Sequence, residues 1–119
     1  GSGTWSCTSD RNAKEHFADV SGHGLLEKLN AIPVQTWNYK SQDDSIRHMG
    51  PMAQDFYAAF RLGEDDKHIS TVDADGVALA AIQALYRMNQ EQQAQIRQLR
   101  SEVEALKAQR EAEVSRLER

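Results

Sequence analysis

The sequence predicts an α+β chain: a small mixed head with a hairpin and short helices, followed by a long C-terminal helix forming a coiled coil. Two observations carry this. All seven glycines and both prolines lie at or before Gly76, whereas residues 77–119 contain neither and are rich in Ala, Gln, Glu, Arg and Leu, which favour helix. In that run Ile82, Leu85, Asn89, Gln92, Ile96, Leu99, Val103, Leu106, Arg110, Glu113 and Leu117 alternate at three- and four-residue spacing, the a/d seam of five heptads. Charge divides at the same place, with 7 basic and 12 acidic side chains in residues 1–76 and 7 and 6 in residues 77–119. The expected organisation is therefore residues 1–8 as a cloning remnant (Gly1-Ser2-Gly3) and the end of an upstream segment, 9–76 as the head, and 77–119 as the coiled-coil helix.

Within the head, Leu25, Leu26, Leu29 and Ile32 recur at helical spacing over Ser21 to Ile32, and Pro33 stops the run. Val34 to Lys40 has strand-like composition and places Trp37 and Tyr39 on one side. Ser41 to Ser45 is a turn signal, and Ile46 to Met49 is expected to return as the second hairpin strand. Ala53, Phe56, Tyr57 and Phe60 mark a short amphipathic helix. Gly63 to Asp66 reads as a loop, His68 to Val72 as a short strand, and Asp73 or Asp75 as the N-cap of the long helix, since a carboxylate there accepts orphan backbone N–H bonds. A head of this size has a marginal core by itself, so it is expected to lean on an oligomer.

The long helix must bury so narrow a seam against partner helices. A helix folded back on its own head is the competing arrangement, and the lack of any Gly or Pro after Gly76 weighs against it. Asn89 and Gln92 set a polar layer in the seam, which fixes register at some cost in stability. The heptads leave the number of chains open, because Arg110 and Glu113 also interrupt the apolar pattern.

Several function classes are excluded by composition. A net charge of −4 argues against a broad nucleic-acid surface, which carries a basic stripe. No stretch approaches the ~18 apolar residues of a membrane span, and no N-terminal stretch reads as a signal peptide. The single cysteine, Cys7, builds neither a disulfide framework nor a multi-cysteine zinc site, and fits a reducing cytoplasm. His16, His23, His48 and His68 lack zinc-site spacing. There is no phosphate loop and no dinucleotide fingerprint, and Glu64-Asp65-Asp66 lacks the calcium-loop pattern. No metal and no cofactor are expected.

Ser9 and Lys14 remain. A serine becomes a nucleophile when a nearby base takes its proton, and a lysine does so only when neutral. A lysine side chain starts near pKa ~10.4, so about 4 kcal/mol of desolvation or like-charge repulsion is needed to free it near neutrality. Five residues of helix put the two side chains ~140° apart, and five of strand put them on opposite faces. Spacing alone does not select the pair; it needs a turn between its members. Trp37 and Tyr39 likewise have two readings, ligand stacking or ordinary cross-strand packing, and packing is the commoner.

The order of features adds to this. Ser9-Asp10-Arg11-x-x-Lys14, then Leu26-x-x-Leu29-x-x-Ile32-x-Val34, then Trp37-x-Tyr39-Lys40, then Gly50-x-x-Ala53-Gln54, and finally Val72-Asp73-x-Asp75-Gly76-Val77 running into Ala81-Ile82-Gln83-Ala84-Leu85 resembles one family. It is the C-terminal intramolecular chaperone domain of phage tailspikes, tail fibres and endosialidases, of the self-cleaving serine-peptidase type. Pro51 departs from the hydrophobic residue usual after that glycine. The resemblance implies a homotrimer that helps three upstream chains wind into a β-rich stalk of the same chain, with no nucleic acid or membrane as partner, and then cuts itself off. It implies Ser9 as nucleophile, Lys14 as its base, and Trp37 and Tyr39 on an arm that grips the client. It places the domain in the cytoplasm of a bacterial host during phage or prophage assembly, and its parent fibre in the virion tail. A non-cleaving structural trimerisation module at a fibre end is the alternative.

Overall fold

A computed structural model describes Ser6 and residues 8–119; Cys7 and Gly1-Ser2-Gly3 lie outside the described residues. The chain divides into two units, Gly1–Gln83 and Ala84–Arg119. In order it forms a 3-10 turn at Arg11–Ala13, α1 (Gly22–Ala31), β1 (Gln35–Trp37), β2 (His48–Gly50), α2 (Ala53–Phe60) and α3 (Thr71–Leu117). This is the α+β order expected: hairpin, short helices, then one long helix.

α1 starts where Ser21 caps it, its Oγ accepting the Gly24 N–H at 3.4 Å. It ends at Ile32, whose N–H donates to the Leu29 carbonyl at 3.3 Å, because Pro33 restricts the residue before it. α2 closes at Arg61 in the left-handed region (φ 53), which donates its N–H to the Tyr57 carbonyl at 2.8 Å. The core of the first unit joins these helices to the start of α3: Leu25, Phe56, Val77 and Ala81 are buried together, with Leu26, Leu29, Phe60, Ile69 and Ala80 packed around them. Helical spacing thus placed the core correctly at α1 and α2; the share from α3, Val77 and Ala81, lies off the seam that the heptads mark, where Ile82 and Leu85 are exposed.

β1 and β2 pair antiparallel, with Trp37 opposite His48 and Gln35 opposite Gly50. Both strands are shorter than their composition suggests, and β2 lies toward Gly50. Two tight turns take up the residues between: Gln42 donates its N–H to the Tyr39 carbonyl at 3.1 Å, and Ile46 to that of Asp43 at 3.0 Å. Asp43 holds the second turn by accepting the Ser45 hydroxyl at 2.7 Å and its N–H at 2.9 Å. These two bonds, the hydroxyl foremost, hold the Asp43 carboxyl below the ordinary value.

Two expectations at the head of α3 are corrected. His68 to Val72 is not a strand; among the described residues the sheet has two strands, β1 and β2, and none of them lies beside this segment to pair with its backbone. Nor does Asp73 or Asp75 cap α3. The helix begins at Thr71, the Ser70 carbonyl accepts the Ala74 N–H at 3.0 Å, and Asp73 lies in the first turn. Val77 and Ala81, four residues apart, share the face that meets Leu25 and Phe56. Gly76 sits inside the helix without breaking it.

The loop before α3 is held by Asp65, which accepts the backbone N–H of Lys67 at 2.8 Å and of His68 at 3.1 Å, with His68 Nδ1 at 3.0 Å. The Lys67 bond first, then the His68 side chain, lowers the Asp65 pKa. A lowered folded pKa contributes stability that is present above the unfolded value and lost as pH falls through the folded one. The protection of the Lys67 and His68 amides, taken against the intrinsic exchange rate at each pH, is therefore expected to fall in acid below the ordinary carboxylate range. In an Asp65→Asn variant the protection should be weaker and lose that acid step; an unchanged acid profile would refute the clasp.

In the second unit α3 is buried only at Ala84 and half-buried at Met88, and every residue from Asn89 on is exposed within a single chain. The seam is bare: Leu99 is 58% and Leu106 63% exposed, and Ile96 and Val103 are exposed as well. No helix among the described residues is long and apolar enough to cross a membrane.

Candidate functional site

The turn that Ser9 and Lys14 require is present. Asp10 starts it: its Oδ1 accepts the Asn12 N–H at 3.1 Å, and its carbonyl accepts the Ala13 N–H at 3.0 Å. This Asx arrangement winds Arg11–Ala13 into one 3-10 turn. Three residues per turn, followed by extended backbone at Lys14 (φ −120, ψ 155), swing the lysine back over the serine. Lys14 Nζ donates to Ser9 Oγ at 2.7 Å, within the reach a base needs to take a hydroxyl proton. Both groups are exposed. Two residues on, His16 adopts a left-handed backbone (φ 56), uncommon outside glycine, and redirects the chain toward α1.

Asp10 was missed as a site residue. Its signal was the Asp-x-Asn sequence itself, since aspartate bonds backbone two residues on.

The hairpin carries the second cluster. Trp37, Tyr39 and His48 form a triangle, with ring centroids 4.8 Å apart for Trp37–Tyr39, 5.2 Å for Trp37–His48 and 5.1 Å for Tyr39–His48. Trp37 is half-buried and donates its indole N–H to the Gly50 carbonyl at 3.2 Å. It is the packing member, as cross-strand aromatics usually are. Tyr39 stays 51% exposed. His48, held through Gln42 Oε1 at 3.0 Å, completes the triangle; only strand register, which ten intervening residues hide, reveals it. Arg47 braces the hairpin by donating to Asn38 Oδ1 at 2.9 Å and Thr36 Oγ1 at 3.1 Å.

A cavity of about 480 Å³ lies in the first unit, lined by Val20, Leu25, Lys28, Phe60, Val72 and Val77 among others. Neither Ser9 nor Lys14 lines it, so it is not a substrate pocket for the pair. Among the described residues no group of His, Cys, Asp or Glu is placed to hold a metal ion.

A short polar dyad, a hairpin with an exposed aromatic and two small helices make up one continuous stretch, and that stretch has a known counterpart. Residues 9–62 match the family described as chaperone of endosialidase. No curated protein matches the chain. The matched segment begins at Ser9 itself and includes Lys14, α1, the hairpin and α2. It ends before α3, so Val72 to Leu85 lies outside the matched residues. The match supports a chaperone role.

Proposed function

We propose that this chain is a C-terminal intramolecular chaperone that trimerises through α3, assists the folding of an upstream β-rich tail fibre or tailspike, and then releases itself by cutting beside Ser9. The observation that carries the reading is the 2.7 Å contact between Lys14 Nζ and Ser9 Oγ inside a chaperone-of-endosialidase segment. With the amine neutral the contact reverses, and the Ser9 hydroxyl donates to Nζ. Oγ then attacks the adjacent backbone carbonyl, its proton passes to Lys14, and the C–N bond breaks. The leaving amine takes that proton, and water hydrolyses the remaining ester. The reaction is a single turnover on the chain's own backbone. Both groups face solvent in one chain, so the cover that lets an amine act as base comes from the client or from neighbouring copies.

Trimerisation makes pairing among three client strands effectively intramolecular and raises their local concentration. Removal of the chaperone afterwards leaves a product that is kinetically hard to unfold. The setting for this work is the host cytoplasm during phage or prophage assembly. Mass spectrometry of the chain joined to a native upstream fibre tests the proteolytic step: two fragments meeting beside Ser9 are expected. An intact chain days after the stalk has folded leaves the alternative, a non-cleaving trimerisation module, which the exposure of both dyad members favours.

The hairpin is the client-gripping arm of this reading, with Tyr39 as its contact. Tyr39→Ala removes its ring pair with Trp37, worth about 0.5–1.5 kcal/mol, so it is expected to lower head stability only slightly while lowering the yield of folded client. Trp37→Ala also loses the indole bond to the Gly50 carbonyl and a half-buried side chain, and should lower stability more. Equal client yields for wild type and Tyr39→Ala would remove the gripping role.

A further inference from the structure

The flanks of the seam change character along α3. In the register set by Ile82 and Leu85, the e positions toward the end of the helix are Arg100 and Lys107, with Val114 in the last turns, and Glu102 stands at g. Charged flanks are the rule in coiled coils. Beside the head the e positions are instead Val72 and Leu79, 51% and 63% exposed. On another side of the helix Val77 and Ala81 are buried against Leu25 and Phe56. The opening turns of α3 thus carry two apolar faces: the chain covers one, and the other runs from Val72, at the edge of the chain's own cavity, to the bare Leu79. The bare one continues the seam, because Leu79 precedes Ile82 by three residues.

The charges select the occupant. In a parallel, in-register assembly each g position faces the neighbour's e position five residues on, which sets Glu102 against Lys107 of the adjacent copy. An antiparallel pairing sets e against e and brings Arg100 and Lys107 against like charge. In the parallel arrangement the e side of one helix meets the g side of the next. Ala81 stands at g, and there each chain packs its own head. Every neighbour therefore carries its head toward the bare e face. We infer that Val72 and Leu79 are a docking strip for the head of the adjacent parallel copy, closing a ring of heads around the first heptads of α3; this rests on the homo-oligomeric reading above. Such a contact is heterologous and closes when the rotation between copies completes a circle.

Thiol accessibility tests it. In a Cys7→Ser background, Leu79→Cys and Gln93→Cys place a thiol at the same heptad position, one beside the head and one beyond it. The full chain is labelled with a maleimide while sedimentation reports its size. In the intact oligomer the Leu79→Cys thiol is expected to react at least tenfold more slowly than that of Gln93→Cys. Adding Leu99→Asp and Leu106→Asp should abolish the difference. Val72→Cys, one heptad earlier at the edge of the chain's own cavity, should likewise react faster once the seam substitutions dissociate the oligomer, and guards against local damage at Leu79. Equal rates in an intact oligomer overturn the strip and leave the assembly standing. A monomeric parent chain overturns both. Protection that appears only with a folded client attached assigns the strip to the client and also overturns the proposal.

Discussion

Ser9→Ala is expected to abolish self-cleavage completely while leaving assembly and client folding intact. The hydroxyl serves only the attack; in the folded chain it is one exposed acceptor for Lys14 at 2.7 Å, and an exposed polar contact of this kind contributes little to stability. Lys14→Arg should abolish cutting as well. A guanidinium keeps its proton well above neutrality, so it can hold the hydrogen bond and cannot receive the serine proton. The pair of variants separates chemistry from folding, since both should assemble and sediment as the parent does. Asp10→Ala is the positioning control. It removes the acceptor that starts the 3-10 turn, so it should slow cleavage without abolishing it, and Asp10→Asn should restore much of the rate. The cutting rate should be independent of protein concentration wherever the oligomer is fully formed. If Ser9→Ala still yields two fragments by mass spectrometry, the nucleophile lies elsewhere.

Leu99→Asp with Leu106→Asp is expected to dissociate the assembly into monomers at tens of micromolar. Each seam leucine contributes roughly 2 kcal/mol when buried. Two from each of three copies amount to roughly 12 kcal/mol, close to the whole free energy of a nanomolar association. Introducing carboxylates also sets like charges across the seam, where burial disfavours them. Nothing in the single chain should suffer, because both side chains are already exposed there. Far-ultraviolet helicity should nevertheless fall, since a solvated helix this long with a narrow apolar seam relies on its partners. Sedimentation equilibrium reads the outcome directly. A parent chain that is monomeric at those concentrations removes the oligomeric reading, and a variant that remains oligomeric places the interface off this seam.

Much of the fold was legible because the signals are local. Helices α1 and α2 follow from apolar residues at three- and four-residue spacing with their stops, Pro33 after the first and Gly63 after the second. The long helix follows from the absence of any breaker after Gly76. Local signals failed at residues 68–76, where the β-branched Ile69, Thr71 and Val72 suggested a strand and Asp73 a cap. There the helix started at Thr71, with the Ser70 carbonyl accepting the Ala74 N–H. Propensity yields to packing when a strand has no neighbour to pair with.

The sequence by itself determined the division into mixed head and seamed helix and the apolar faces of α1 and α2, and its resemblance to a chaperone family singled out Ser9 and Lys14 as a candidate pair. Only the tertiary structure decided whether Ser9 and Lys14 touch. Neither helix nor strand brings residues five apart together, and the 3-10 turn that does so depends on one side chain, Asp10, bonding to backbone two residues on. It also decided that His48 joins Trp37 and Tyr39, because strand register is set by turns whose geometry no periodicity records. And it separated the two apolar faces at the start of α3, since a pattern of apolar residues states what must be buried but not whether its own chain supplies the cover.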